Sequence, residues 1–343
     1  MYPSEVSSPG IRAQTLVGLT RDRIALLIRT RAAWKMMSPL DVDARVRLTA
    51  FEWLTEQSLL NEGVFTRECL EEGFLFEGNQ VRLVGPQGIF KPRILPEAPL
   101  SVTTTTHGPY SDSFGPDDLL RYSYRGTDPM HHENVGLRKA MARRLPLVYF
   151  HSLLPGKYVA AWPVFIRADD PSRLTFTVEV DDSARIDTYL AETLAGRATS
   201  EPSDARRRYV TAVFRRRLHQ QAFRQRVLWA YREQCALCRL RHEELLDAAH
   251  IVPDADPEGE PVVQNGLALC KLHHAAFDRF FLTVRSDYVI EVRKDVLDEE
   301  DGPVLLHALK GMHQQKILLP RSSELYPDPR RLEVRYQRFK KAC

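Results

Sequence analysis

Four potential metal ligands fall into two short, equally spaced pairs within one stretch of the chain. Cys235 and Cys238 are separated by two residues, and Cys270 and His273 repeat that spacing further along. Two such pairs allow three thiolates and one imidazole to surround a tetrahedral ion, as in structural zinc sites. Ordinary buried thiols are the alternative, but three of the chain's five cysteines lie here at ligand spacing. The stretch therefore predicts a Cys₃His zinc knot that stabilises the surrounding fold.

A second set of polar residues is interleaved with the zinc ligands. His250 lies within a short apolar run that predicts a strand ending at Pro253, Asn265 lies in a turn-like Gln-Asn-Gly sequence, and His274 opens a predicted helix. This order of His, Asn and His resembles the HNH nucleases, which have the ββα-metal fold. The resemblance implies that His250 is the general base, that Asn265 braces the loop between two strands, and that His274 binds a divalent ion.

Phosphodiester hydrolysis explains why these residue types occur together. A neutral imidazole accepts the proton of the attacking water, and a cation offsets the charge that builds on the phosphate. Asp278 follows His274 by one helical turn, so the pair predicts a site for Mg²⁺ or Mn²⁺. Many HNH enzymes carry an Asp directly before the base, whereas this chain has Ala249 there. Asp247, on the same face of the strand as Ala249, is therefore a further candidate ligand.

The length of 343 residues predicts several domains in an α+β chain. Residues 1–84 predict amphipathic helices, a short helix at 66–72 and a hairpin, an order typical of a winged-helix-like module or of a generic helical cap. Residues 85–195 predict a β-rich reader domain and residues 196–234 a basic helical connector. Residues 235–343 complete the order as the ββα-metal HNH domain with its zinc knot.

Three runs rich in aromatic and β-branched residues, at 146–151, 158–166 and 173–180, predict the strands of a small barrel. Together with the preceding loop-rich segment, they resemble the PUA-superfamily, SRA-like readers that precede HNH domains in modification-dependent restriction endonucleases. Such readers flip a base out of the duplex and stack it on aromatic side chains. Taken singly, each tyrosine is better explained as part of the barrel core. The candidate pocket residues are Tyr110, Asp112, Tyr122, Tyr124, Arg125, Asp128 and Trp162.

The net charge of only +3 means that any nucleic-acid surface must come from local segregation of charge. Residues 205–232 contain nine arginines and no acidic residue. A solvated helix face usually carries acidic partners at i,i+4 spacing, so their absence favours contact with phosphates. The predicted DNA-backbone contacts are Arg206, Arg207, Arg208, Arg215, Arg216, Arg217, Arg224 and Arg226.

No stretch approaches ~20 consecutive apolar residues, and the first residues lack the features of a secretory signal. We therefore expect a soluble, cytoplasmic protein without a membrane partner. The leading prediction is a modification-dependent (type IV) DNA endonuclease that acts on double-stranded DNA, with structural zinc and catalytic Mg²⁺ or Mn²⁺. A homodimer would let a one-strand HNH site cut both strands. The alternatives are an HNH homing or nicking enzyme without modification dependence, and a catalytically silent zinc-knot DNA-binding protein.

Overall fold

The chain divides into two compact units, Met1–Val46 and Arg47–Cys343. The computed structural model describes residues 42–104, 113–114, 119–181, 204–300 and 302–342. Within these ranges, no helix is both long and apolar enough to cross a membrane.

The described residues form a mixed α+β structure, as the sequence predicts. Its α-helices are α1 (Val42–Leu60), α2 (Arg67–Glu72), α3 (His132–Ala142), α4 (Asp204–Ala230), α5 (Lys271–Asp278), α6 (Lys294–Asp298) and α7 (Pro329–Ala342). Its strands are β1 (Val64–Thr66), β2 (Phe74–Phe76), β3 (Asn79–Val81), β4 (Ile89–Phe90), β5 (Ser101–Thr103), β6 (Ser113–Phe114), β7 (Leu120–Ser123), β8 (Leu147–Leu154), β9 (Lys157–Asp170), β10 (Thr175–Val180), β11 (Leu246–His250), β12 (Gly266–Cys270), β13 (Leu282–Val284) and β14 (Ile290–Val292).

The three predicted barrel strands form the centre of one eight-stranded, curled sheet, as β8, β9 and β10. The strand order is β4-β5-β8-β9-β10-β7-β6, and β1 also pairs with β9. Register shifts in the β8–β9 and β9–β10 pairs bend the long strand β9. One face buries side chains such as Tyr149, Val159 and Phe176. Closure of this sheet into a PUA-like barrel stays a prediction.

The short helix predicted at residues 66–72 is confirmed as α2. The side chain of Thr66 caps it by accepting a hydrogen bond from the Cys69 amide, and Gly73 ends it with a φ of 69°. The predicted hairpin follows, with β2 paired antiparallel to β3 from Phe74 opposite Val81 to Phe76 opposite Asn79. The turn consists of Glu77 and Gly78 alone, both with positive φ, which suits a two-residue hairpin.

The basic connector is one continuous helix, α4, and not two. Its middle turns place Phe214 and Leu218 in the core of the eight-stranded sheet. Its last turns place Phe223 and Val227 in the core of the C-terminal region. Burial of each large apolar side chain contributes ~1.5–3 kcal/mol, so one helix is held in both cores.

The C-terminal region contains the predicted ββα unit. Strands β11 and β12 pair antiparallel, with His250 opposite Gly266, and α5 follows β12 directly. Residues 315–319 form no strand, because Lys316 makes only an isolated bridge to Val289. The amide of Ile317 donates to Tyr288, whereas the next amide donates to Ala236, so the segment leaves the ladder.

Candidate active site and zinc site

The four predicted zinc ligands converge at the base of the ββα unit. Their donor atoms all lie within 4.8 Å of one another. His273 Nδ1 lies 3.5 Å from Cys235 Sγ and 3.2 Å from Cys270 Sγ, while the sulfurs of Cys238 and Cys270 are 3.9 Å apart. Three sulfurs and one imidazole nitrogen are the donor set of a structural zinc site, so the residues fit this ion.

The surroundings of the cluster suit a metal. His273 Nε2 lies 2.7 Å from the carbonyl oxygen of Ala308, which directs Nδ1 towards the three sulfurs. Hydrogen bonds from Cys238 and Cys270 hold the pKa of the Cys235 thiol below its ordinary value. The cluster lies beneath α5, so it fixes the position of the helix that carries His274.

His250 lies at the end of β11, and its imidazole stacks on the ring of Phe223 from α4. Its Nε2 atom is buried and has no hydrogen-bond partner among the residues that the structure describes. Burial lowers the pKa of His250 below its ordinary value, and the charges of Asp254 and Asp278 oppose that effect. The imidazole is therefore neutral near pH 7, with a nitrogen able to accept a proton.

Asn265 ties together the two ends of the loop between β11 and β12. Its side-chain oxygen accepts from the Val252 amide at 2.9 Å, and its Nδ2 donates to the carbonyl oxygens of Val252 and Glu260 at 3.0 and 3.1 Å. The Ile251 amide also donates to the Asn265 carbonyl at 2.9 Å. These bonds hold the residues that directly follow His250.

Of the three predicted ligands of the catalytic ion, His274 lies between Asp247 and Asp278 and contacts both. His274 Nδ1 lies 3.5 Å from an Asp247 oxygen, and His274 Nε2 lies 3.3 Å from an Asp278 oxygen. The two nitrogens point in opposite directions, so one ion cannot bind both through this ring. The contact with Asp247 is the largest cause of the raised pKa of His274.

Two adjoining cavities meet at His250 and Asp254, which line both. One, of about 510 Å³, lies along α4 and is also lined by Arg215, Arg216 and His219. The other, of about 590 Å³, is also lined by His274 and Asp278 of α5 and by Arg335 and Arg338 of α7. Asp247 is not among the lining residues of either cavity, so of the two carboxylates beside His274 only Asp278 faces a cavity.

The comparison with known families agrees with this geometry. A family model described as HNH endonuclease matches residues 235–285. This segment is an HNH endonuclease domain. Within it lie the zinc cluster, Asp247, His250, Asn265, His274 and Asp278. None of the curated proteins gives a significant match to the chain.

Two solved structures are similar to the chain, with low TM-scores. The first is "Modification dependent TagI restriction endonuclease", at 14% identity and a TM-score of 0.27, with 71% of this chain and 82% of that chain covered. The second is "Structure of the Type IV phosphorothioation-dependent restriction endonuclease ScoMcrA", at 16% identity and a TM-score of 0.18, with 51% of this chain and 52% of that chain covered. At these TM-scores neither similarity carries a conclusion for this chain.

The predicted DNA-binding arginines of α4 differ in their surroundings. Arg215 and Arg216 line the cavity beside His250 in the HNH domain. Arg217 instead donates to Ser58 Oγ at 3.1 Å, and burial lowers its pKa. Arg224 contacts Asp247 at 3.3 Å, and Arg226 donates to the Pro261 carbonyl at 3.2 Å. The side chains of Arg206, Arg207 and Arg208 lie outside the described residues.

The candidate residues of the modified-base pocket are dispersed. Tyr124 is 1% exposed and its ring stacks on Phe176, so binding a base there would require the sheet core to open. Tyr122 is also buried and contacts the Thr103 carbonyl. Arg125 faces Glu133 at 4.0 Å, and Asp128 accepts from the Met130 amide in a turn. Two further candidates, Tyr110 and Asp112, lie outside the described residues.

Trp162 lines a cavity of about 310 Å³. Its indole nitrogen is buried and, in the part of the chain that the structure covers, has no hydrogen-bond partner. Arg217 of α4 and Asp181 line the same space. The sequence did not indicate either residue for this site, because they come from segments far apart along the chain.

Sequence reasoning also missed three residues around the HNH site, namely Phe223, Asp254 and Arg335. Phe223 lies four residues before Val227 on the apolar stripe of α4, which indicates burial but not its neighbour. Arg335 did leave a signal. It lies between Leu332 and Phe339 at helical spacing, so a charged residue occupies the buried face of α7.

Proposed function

We propose that the chain is a metal-dependent DNA endonuclease that hydrolyses phosphodiester bonds at its HNH domain, with His250 as the general base. The observation that carries this proposal is that His250 lines a cavity together with His274 and Asp278, while its Nε2 has no hydrogen-bond partner among the described residues. A neutral imidazole of this kind can accept the proton of an attacking water. Asn265 holds the loop that keeps the imidazole in place.

The ligand pair for Mg²⁺ or Mn²⁺ is then His274 Nε2 and Asp278. The bound ion supplies charge stabilisation for the phosphate and the leaving oxygen. Asp247 accepts the Nδ1–H of His274 and orients the ring, as carboxylates commonly do beside a ligating histidine. Arg224 in turn contacts the Asp247 carboxylate, so α4 supports this arrangement. Asp247 is thus an orienting residue and not the second ligand.

The substrate proposed is double-stranded DNA. Arg215 and Arg216 project from α4 into the cavity that adjoins His250, where they can contact phosphates beside the one that is cut. The Cys₃His cluster would hold zinc as a structural ion, because its four residues offer a tetrahedral donor set and none of them lines either cavity beside His250.

The finer proposal is that cutting depends on a modified base, read by an SRA-like, PUA-type domain ahead of the HNH domain. Its support is the predicted domain order (1–84, 85–195, 196–234 and 235–343) and the cavity lined by Trp162 in the eight-stranded sheet. At about 310 Å³, this cavity has room for one base beside the side chain of Trp162.

The test uses the intact, zinc-loaded protein and plasmids that are identical except for their base modification. With Mg²⁺ or Mn²⁺ present, the proposal expects cutting of at least one modified plasmid, loss of cutting with His250→Ala, and weak or no cutting of the plain plasmid. Equal cutting of all plasmids would instead favour an HNH nuclease without modification dependence. Binding of DNA without cutting under every condition would favour a silent DNA-binding protein.

The reader part needs its own variant. Trp162→Ala should weaken the preference for modified DNA while leaving the HNH domain intact, because the residue lies on β9 and not in the HNH domain. A rate that rises faster than linearly with protein concentration would support a homodimer as the species that cuts both strands.

A further inference from the structure

Arg335 is a buried cation that makes no ion pair with the described residues, although the negative charge of Asp278 partly stabilises it. Its residue is 4% exposed, and among the described residues no carboxylate oxygen lies within ion-pair distance of its guanidinium group. The guanidinium carbon instead lies 3.4 Å from the ring centroid of Phe277 and 4.8 Å from that of Phe280. Two aromatic faces offset only part of the cost of desolvating a cation. A residue retained at such a cost calls for a specific role.

The hydrogen bonds of Arg335 join the two halves of the HNH site. One terminal nitrogen, Nη1, donates to the carbonyl oxygen of Ile251 at 3.4 Å. The other, Nη2, donates to the carbonyl oxygen of Phe277. Ile251 directly follows His250, and Phe277 directly precedes Asp278. The guanidinium fork therefore connects the strand end that carries the proposed base to the helix that carries the proposed metal ligands.

No other described side chain of α7 makes such a connection. Tyr336 hydrogen-bonds to Glu291 of β14 at 3.0 Å, and Arg331 contacts Glu260 at 3.2 Å. Arg338 contacts Asp256 at 2.7 Å in the loop after β11. Each of these bonds attaches α7 to one element, whereas Arg335 alone contacts both of the elements that carry the site.

We propose that Arg335 is a positioning residue that fixes the distance between His250 and the His274–Asp278 pair. The proposal rests on the nuclease function argued above. Proton transfer and charge stabilisation both require the base and the metal ligands to face one phosphate, and a small displacement of either lowers the rate. The C-terminal helix, which lies outside the segment matched by the HNH family, is thereby part of the catalytic architecture.

A different role for the same residue is direct charge contact with DNA, since Arg335 lines the cavity of His274. The substitution Arg335→Lys separates the positioning role from direct charge contact with DNA. It keeps the positive charge but places a single ammonium where the planar fork reached two carbonyl groups. Methionine keeps most of the apolar stem over Phe277 and removes every donor.

The experiment compares Arg335→Lys and Arg335→Met with the control Tyr336→Phe. This control removes the hydrogen bond from α7 to Glu291, which lies in neither β11 nor α5. Hydrogen–deuterium exchange on the zinc-loaded chain, without DNA or added divalent ion, follows residues 251–256 and 277–281. Cleavage of DNA with Mn²⁺ then gives kcat and KM, and melting temperature reports global stability.

If Arg335 positions the two elements, Arg335→Lys and Arg335→Met should both lose exchange protection in both segments together. The same role predicts that kcat falls by about 10²-fold with KM unchanged. Tyr336→Phe should change neither. Wild-type protection and kcat in Arg335→Lys, or a rise in KM alone in Arg335→Met, would overturn the proposal. If the wild-type chain cuts no DNA, the nuclease function fails, while the paired exchange of the two segments still decides whether Arg335 holds them together.

Discussion

The ring of Phe223 stacks on the imidazole of His250, with centroids 4.0 Å apart and an interplanar angle of 18°. Phe223 belongs to α4, the helix that is also held in the core of the eight-stranded sheet by Phe214 and Leu218. The orientation of the proposed base is therefore set by a helix that begins outside the HNH domain. A displacement of α4 relative to β11 would move the face on which His250 rests.

Replacing Phe223 by leucine should lower the cleavage rate about 10- to 100-fold while DNA binding is kept, because His250 loses a flat supporting surface but no charge is changed. Single-turnover cleavage and a gel-shift assay measure the two properties. Leu218→Val, which trims the same helix in the sheet core, is the matched control and should reduce stability more than rate. An unaltered rate in Phe223→Leu would show that the stack has no part in positioning the base.

His250→Ala should reduce cleavage by about 10²–10⁴-fold, because the proton acceptor is lost. Binding of DNA should persist, since Arg215 and Arg216 remain in place along α4. Rates on plasmid DNA and equilibrium binding to the same DNA give the comparison. Cutting at the wild-type rate would exclude His250 as the base.

The different positions of Asp247 and Asp278 predict different effects on Mn²⁺ affinity. Asp278→Asn removes a carboxylate ligand from the open side of His274. Asp247→Asn removes the negative charge that faces His274 Nδ1 and Arg224, and it should weaken Mn²⁺ binding by about 10–100-fold, as loss of a supporting carboxylate does. Titration of Mn²⁺ followed by electron paramagnetic resonance, with zinc in its own site, measures both. A larger loss for Asp247→Asn than for Asp278→Asn would reverse the assignment.

Cys235→Ser should destabilise the fold and not merely slow catalysis. Cys235 is buried, as are Cys270 and His273, and a structural zinc ion contributes its binding free energy to folding. The expected results are a lower melting temperature and about one equivalent of tightly bound zinc in the wild type, lost in the variant. Elemental analysis that finds no zinc in the wild type would reject the site.

His151 predicts a loss of stability in mild acid. Burial, followed by repulsion from His219, lowers the pKa of His151 to about 4 from 6.5. Between these values the unfolded chain binds a proton that the folded chain does not, so the free energy of unfolding falls as pH decreases from 6.5 and levels off below about 4. The shift corresponds to about 3 kcal/mol at most.

Chemical denaturation across this pH range, compared with His151→Gln, tests the effect. Glutamine retains a group that can hydrogen-bond to Tyr149, which lies 3.0 Å from the histidine ring, but it does not titrate. The variant should therefore show a flatter dependence of stability on pH. Identical slopes in the two proteins would mean that His151 is not the group responsible.

Much of the HNH domain could be predicted from the sequence because its signals are local. The two spaced pairs of zinc ligands, the strand that contains His250 and the helix that opens before His274 are all encoded within a few residues. The short helix α2 and the long basic helix α4 were predicted for the same reason. Ligand chemistry, caps and periodicity act over one or two turns, so no knowledge of distant segments is needed.

The relationships across the chain were decided by tertiary packing alone. Asp247 and Asp278 are equivalent candidates in the sequence, yet only one lies on the open side of His274, because β11 and α5 approach the ring from opposite sides. Tyr124 has an aromatic side chain that could stack on a base, but the sheet buries it against Phe176. Arg335 reaches Ile251 across 84 positions of sequence. Such contacts depend on how separate elements pack, and side-chain identity at one position carries no information about which distant surface will cover it.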